Sequence, residues 1–185
     1  MKPVITTHGI SIVIITVIFL TIYTAVQQGY RTAANDPQIQ LARDIKNNIE
    51  LQKPYELLLP KDSIDISKSL GIFVIFYDNK ENPIFSTGFL NGNMPQVPPG
   101  VLDHAKSDNE NVISWQPQTN TRQALVIEHV SNSTIGFVAV GRSLQEVEIR
   151  EFNLLKIVGI GWAISIGLII LHLFLQYLFY KKPKQ

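Results

Sequence analysis

Residues 72–78 read IFVIFYD, a run made almost wholly of β-branched and aromatic residues. Residues of these types favour an extended strand, and the polar segment 79–82 that follows predicts a turn. The apolar side chains stand at consecutive positions instead of alternate ones. The sequence therefore predicts a strand that is covered on both of its faces.

Four further segments have a similar composition and predict four more strands. Short polar stretches at 118–122 and 131–134 separate the last three, as expected of hairpin connections. A loop rich in glycine and proline precedes these three, and it leads into a short helical turn around residues 101–106. The predicted strands are 83–89, 111–117, 123–130 and 135–141.

A helix is predicted before the first strand, over residues 37–52. Asp36 can cap its free amides, and Pro37 suits its first turn. Apolar residues then recur at helical spacing, and Lys53-Pro54 ends the pattern. This order of elements predicts an α+β domain, in which a five-stranded antiparallel sheet packs against an N-terminal helix.

Two long apolar segments flank this domain. No Asp, Glu, Lys or Arg occurs in 3–30 or in 157–180. A helix needs about 20 apolar residues to cross the hydrocarbon core of a bilayer, and both segments are apolar on every face. The sequence predicts transmembrane helices at 9–29 and 153–180. The first is longer than a usual signal-peptide core and lacks a clear cleavage site, so we expect it to be retained.

Basic residues near the helix ends predict the orientation. They are Lys2 in the segment 1–8 and the lysines of the tail 181–185, which places both termini in the cytoplasm. The domain at 30–152 is then periplasmic or extracellular. Residues 31–151 contain 11 Lys and Arg and 15 Asp and Glu, a balance of −4 that argues against a nucleic-acid partner.

Sequence motifs of catalysis are absent. The chain has no cysteine, no phosphate-binding loop and no recognisable nucleophile motif. His104 and His129 have no second ligand at metal-binding spacing on the same predicted element. We therefore expect neither an enzyme nor a bound metal or cofactor.

The order of elements resembles the PAS-like extracytoplasmic sensor domains of the Cache group, which occur on bacterial receptors with two membrane spans. The resemblance implies a helix after the first span and an exit from the last strand into the second. Five strings also resemble an uncharacterised group of small two-span bacterial membrane proteins: ANDPQIQLA (34–42), SLGIFVIFYD (69–78), PPGVL (98–102), SWQP (114–117) and GRSLQEVE (141–148). Only five residues follow Tyr180, so any signal is expected to leave through the membrane helices.

A small-molecule ligand in such a fold would lie between the sheet and its covering helix or loop. Arg122 could bind a carboxylate through paired hydrogen bonds, or it could simply be a solvated turn residue. Trp115 and Tyr77 could form an aromatic wall, or they could be ordinary core residues.

The second span predicts two contact faces. Small residues recur at every fourth position on one face, which lets two helix backbones approach closely: Gly159, Ala163 and Gly167. On nearly the opposite side lie small and polar residues that are costly to expose to lipid: Gly161, Ser165, His172 and Gln176. The first span could cover one face. The other indicates contact with another membrane protein or a second copy.

Two functions fit these patterns. In the first, the domain senses a small solute or a partner and signals through its membrane helices to a separate membrane protein. In the second, the chain is a non-catalytic structural or assembly subunit of a membrane complex.

Overall fold

The computed structural model of the chain describes residues 2–131 and 133–180, with side chains described for 8–131 and 133–179. The basic tail 181–185 and the side chain of Lys2, which underlie the predicted orientation, lie outside the described residues. The chain divides into two compact units. One comprises Met1–Tyr30 and Ile149–Gln185 and is helical throughout its described residues, and the other is the α+β domain Arg31–Glu148.

The elements follow one another in nearly the predicted order. In chain order they are α1 (Lys2–Glu50), a short 3-10 helix (Glu56–Leu58), β1 (Ile64–Asp65), β2 (Ile72–Asp78), β3 (Pro83–Ser86), β4 (Gly88–Phe89), α2 (Val101–Asp108), β5 (Glu110–Gln118), β6 (Thr121–His129), β7 (Ile135–Ser143) and α3 (Gln145–Tyr180).

Five strands form one antiparallel sheet in the order β3-β2-β7-β6-β5. The prediction of a single strand over 83–89 is wrong, because the segment divides at Thr87. The hydroxyl of Thr87 accepts a hydrogen bond from the amide of Val74 at 2.9 Å, and β4 then leaves β2 to pair in parallel with β1. β1 is only two residues long and was not predicted.

The prediction that β2 is covered on both faces is confirmed. Residues of one face, including Phe73 and Tyr77, pack with α2 and with the segment around Ile66. Residues of the other face, including Val74, pack against Ala42 on α1 and its neighbours. Burial on both faces explains why the apolar residues of β2 are consecutive.

The predicted helix start at Asp36 and Pro37 is wrong, because α1 continues through both residues from Lys2 to Glu50. Proline inside a helix removes a backbone hydrogen bond and costs about 3 kcal/mol. Here the segment is held by its packing, since Ala42 and Ile45 are fully buried against the sheet. Tertiary contacts thus override the local signal for a helix start.

Both long helices contain a stretch long and apolar enough to cross a membrane. They contact each other within the helical unit. The indole Nε1 of Trp162 on α3 donates a hydrogen bond to the hydroxyl of Thr16 on α1 at 2.9 Å. That hydroxyl in turn donates to the carbonyl of Ile12 at 2.8 Å. The bonds satisfy both polar side chains, as an apolar surrounding requires.

Candidate functional site

A cleft of about 760 Å³ runs beside β5, at the edge of the sheet. The loop that leads from β4 to α2 forms one wall, and residues 113–117 of β5 form the other. This volume falls within the range of about 300–1,000 Å³ that is typical of ligand sites. The lining residues are Leu90, Pro95, Gln96, Val97, Pro98, Val101, Ile113, Ser114, Trp115, Gln116 and Pro117.

Side-chain hydrogen bonds join the loop to β5 at both ends of this cleft. At one end, the amide of Asn91 donates to the side-chain oxygen of Gln118 at 3.3 Å. At the other, the amide of Asn111 donates to the carbonyl of Val101 at 2.9 Å. The loop is therefore fixed to the strand at two points, and the cleft is the gap between them.

Tyr77 supports the loop wall from below. Its side chain is fully buried, and its hydroxyl donates to the carbonyl of Pro95 at 3.4 Å. Burial raises the pKa of Tyr77 to about 12, and a backbone hydrogen bond from Val97 offsets this only in part. The hydroxyl thus stays protonated and can donate to the loop at physiological pH. Tyr77 holds a wall of the cleft instead of lining it.

Trp115 lies on the same face of the sheet as Tyr77, and it does line the cleft. Only 5% of its surface is exposed, so most of the ring packs in the core. The remaining edge forms part of the cleft wall. The structure therefore places Trp115 in the wall of the cleft and Tyr77 directly behind the loop that forms the other wall.

Arg122 is not brought to this place. Trp115 pairs with Gln123 across the ladder, and alternate residues of a strand point to opposite faces. Arg122 therefore points to the face opposite Trp115. Its guanidinium lies 3.3 Å from the carboxylate of Glu148, in the first turn of α3. This pairing matches the alternative reading of Arg122 as a surface residue.

Charge at the cleft is low, since none of the described residues that line it is acidic or basic. The charged cluster of the domain lies on the other face of the sheet, where α1 packs. There the buried carboxylate of Glu128 contacts Lys46 at 3.0 Å and Arg43 at 3.5 Å, and Arg43 also contacts Glu110 at 2.8 Å. Among the described residues, no group of three or more His, Asp or Glu is placed to hold a metal ion.

Burial lowers the pKa of His129, with smaller contributions from the positive charges of Lys106 and Lys46. Because the folded state disfavours the protonated ring, its stabilising contribution is present above the unfolded pKa of about 6.5 and is lost as the pH falls below that value. We expect His129→Phe, which keeps the ring contact with Phe137, to flatten this decline. Urea unfolding of the full chain in detergent at pH 7.5 and pH 5.5 measures the loss of stability between these two pH values. An equal loss in the variant and in the original chain would contradict a lowered pKa of His129.

One of the two predicted contact faces of α3 packs against α1. A Cβ placed on Gly161 would lie 2.9 Å from the ring of Phe19, and the hydroxyl of Ser165 bonds to the carbonyl of Gly161 at 2.9 Å. His172 belongs to the same face, with its ring centroid 5.5 Å from that of His8. Gln176 shares a hydrogen bond of 2.9 Å with His172. The polar groups of this face thus have partners within the chain.

The other face has no such cover. A Cβ on Gly159 or Gly167 would meet no described atom within 4 Å, and Ala163 between them is exposed. The expectation that the first span covers only one face agrees with this geometry.

Sequence reasoning missed most of the cleft wall. Leu90, Val97 and Ile113 are apolar residues in or beside a loop, and nothing in their spacing shows that they meet. The one available signal was the density of proline and glycine between residues 88 and 100, which marks a loop of defined shape. Compared with known proteins, the chain matches no family model and no curated sequence.

Proposed function

We propose that the chain is a non-catalytic sensory or regulatory membrane protein. Its PAS-like domain, residues 30–152, binds a small solute or a partner in the cleft beside β5. The two membrane helices pass the response to a separate membrane protein. In this proposal both termini face the cytoplasm, and the domain lies in the periplasm or outside the cell.

The observation that carries this proposal is the direct continuity between the domain and both long helices. The helix α1 continues from its apolar segment to Ala42 and Ile45, which are buried in the domain core. At the other end, only Leu144 separates the last strand from α3. A change in the domain core therefore has a covalent path of regular structure into each membrane segment. Three features also support the PAS-like assignment: the helix before the sheet, the five antiparallel strands, and the passage from the last strand directly into α3.

The exposed face of α3 favours the second candidate function, an assembly subunit without a ligand. Small residues at Gly159, Ala163 and Gly167 permit close approach of another helix. Their open surroundings within the described chain fit a partner in the membrane. Sensing requires an occupied cleft as well, so the two functions differ in whether a ligand binds.

Replacing both Gly159 and Gly167 with Ile is expected to lower association with a membrane partner or a second copy by about tenfold, a loss of about 1.4 kcal/mol. The added side chains block close approach on this face, while their Cβ atoms would meet no atom of the described residues within 4 Å. Light scattering of the full chain in detergent, and recovery of partners after crosslinking in native membranes, measure the change.

The matched control replaces two exposed residues of the same helix, Ile164→Val and Leu168→Ile, and is expected to leave association unchanged. Gly161→Ile should instead separate α1 from α3, because its side chain would collide with Phe19. Undiminished association of the double-glycine variant would rule out this face as the contact.

Ligand binding is tested on the full chain in lipid nanodiscs by thermal unfolding with neutral solutes, carboxylates and amines. A ligand present at 100 times its Kd is expected to stabilise the folded state by about 2.7 kcal/mol. Ser114→Arg and Gln96→Arg place a charged chain at exposed positions of the cleft wall and should abolish the shift. Thr119→Arg, exposed in the next turn, is the matched control. A shift that survives both cleft variants would contradict the site.

A further inference from the structure

We infer that the occupant of the cleft is an extended, uncharged segment of another polypeptide, which adds as a sixth strand to the free edge of β5. The inference rests on the proposed function, since it takes the cleft as the ligand site. It narrows the solute or partner of that proposal to one chemical class.

The first support is the position of β5 in the sheet. It is the last strand and pairs with β6 alone. In an antiparallel ladder, alternate residues of an edge strand point their N–H and C=O groups away from their neighbour. In the part of the chain that the structure describes, no backbone hydrogen bond joins residues 113–117 to the loop 90–100. The cleft therefore presents outward backbone donors and acceptors at strand spacing as far as Trp115, beyond which the ladder shifts register and Pro117 offers no N–H.

The second support is that both faces of β5 contribute to the cleft. Ile113 and Trp115 point to one face and Ser114 between them points to the other, while Gln116 and Pro117 lie where the ladder shifts register. A pocket on one face of a sheet would be lined by one of these sets only. Lining by both sets means that the cleft follows the strand edge, where an added strand lies.

The two hydrogen bonds that join the loop to β5 define the length of this edge. Asn111 and Gln118 mark its ends, and residues 113–117 line the cleft between them, with a shift of ladder register after Trp115. At about 3.3 Å per residue, five residues of a strand extend about 17 Å. An occupant of four or five extended residues fits this length, and its flanking residues must leave the cleft at either end.

The third support is charge. None of the described lining residues is acidic or basic, whereas the loop wall supplies Leu90, Pro95 and Val97. A charged side chain in this place would lose hydration without gaining an ionic partner, which is costly. Backbone amides would find partners on β5 and apolar side chains would find them on the loop. The geometry thus favours an uncharged segment rich in β-branched residues.

A displayed library of random decapeptides, selected on the full chain in lipid nanodiscs, tests the inference. Enriched peptides are expected to share an uncharged core of four or five residues. Methylation of alternate backbone nitrogens in that core removes hydrogen-bond donors but keeps every side chain. It should weaken binding by at least about tenfold when the methylated nitrogens face β5, and much less when the other alternate set is methylated. Hydrogen exchange should slow at alternate amides of residues 113–116, since Pro117 has no amide hydrogen.

Variants and outcomes separate this inference from the proposed function. Ser114→Arg and Gln96→Arg should abolish peptide binding, whereas Thr119→Arg should retain it. If neutral small molecules bind the cleft but no peptide does, the ligand site stands and the strand inference fails. It also fails if enriched peptides are equally sensitive to both methylation patterns. If the cleft variants leave all peptide and solute binding unchanged, or if no peptide or solute binds at all, both the strand inference and the proposed sensing function fail.

Discussion

Gly141→Ala is expected to destabilise the domain by about 3 kcal/mol, the upper part of the usual range for overpacking a well-filled core. Gly141 stands opposite Phe73 in the β2–β7 ladder, and a Cβ at this position would lie within 2.8 Å of several atoms of the Phe73 ring. Phe73 is 1% exposed, and a Cβ on Gly88 would also lie 2.7 Å from its ring, so the ring is closely packed by two glycines and cannot move aside easily. Chemical unfolding of the full chain in detergent measures the loss.

The collision also predicts a rescue. The double variant Gly141→Ala with Phe73→Leu should recover part of the stability, because the smaller side chain makes room for the added methyl. Gly71→Ala is the matched control, since its Cβ would lie 3.2 Å from the flexible hydroxyl of Ser69. Similar stabilities of the Gly141 and Gly71 variants would contradict the close packing described around Phe73.

Lys46→Met is expected to destabilise the domain by about 3 kcal/mol, the lower end of the cost of breaking a buried ion pair. Its Nζ lies 3.0 Å from the carboxylate of Glu128, whose side chain is only 4% exposed. Arg43 remains as a second partner at 3.5 Å, but it is more than half exposed and also pairs with Glu110. Equilibrium unfolding at pH 7 measures the change.

Burial raises the pKa of Glu128, and the bond to Lys46 opposes this only in part. A raised carboxyl pKa means that its contribution to stability is present below the unfolded value of about 4.3 and is lost as the pH rises through the folded pKa. Lys46→Met removes the charge that lowers the pKa of Glu128, so the folded pKa should rise further and stability should keep falling up to a higher pH. Adding Glu128→Leu should remove both the pH dependence and most of the destabilisation.

The control for this pair is Lys68→Met, because Lys68 is 82% exposed and its surface contact with Asp65 is screened by solvent and contributes little to stability. A Lys46 variant no less stable than the Lys68 variant would show that Glu128 needs no cationic partner.

The sequence predicted the elements whose patterns are local. The consecutive apolar residues of β2 indicated burial on both faces, and the two apolar segments indicated the long helices. Failures occurred where distant contacts decide the outcome. Pro37 indicated a helix start, yet the packing of Ala42 and Ile45 keeps α1 continuous. Thr87 divides a strand because its side chain bonds to Val74, which no spacing reveals.

The candidate site was harder to predict for the same reason. Trp115 was recognisable as an aromatic residue in a strand, but its neighbours in the cleft come from a loop some 20 residues earlier. The charge of Arg122 suggests a ligand-binding residue, but strand alternation places it on the face of the sheet opposite Trp115. The path of the loop decides which residues surround Trp115, and the strand register decides the face of Arg122. Both depend on the whole sheet. In the second span, the opposed faces were predictable because helical spacing is local.

Under the proposed function, occupation of the cleft changes the arrangement of α1 and α3 in the membrane. The chain contains no cysteine, so Val13→Cys with Leu168→Cys gives two unique positions for spin labels on exposed sites of α1 and α3. Pulsed electron paramagnetic resonance on the full chain in nanodiscs then measures the distance between the labels, without and with the peptide or solute that binds most tightly. The ligand is expected to shift this distance distribution, and Ser114→Arg is expected to abolish the shift. An unchanged distribution at a saturated cleft would contradict the proposed function.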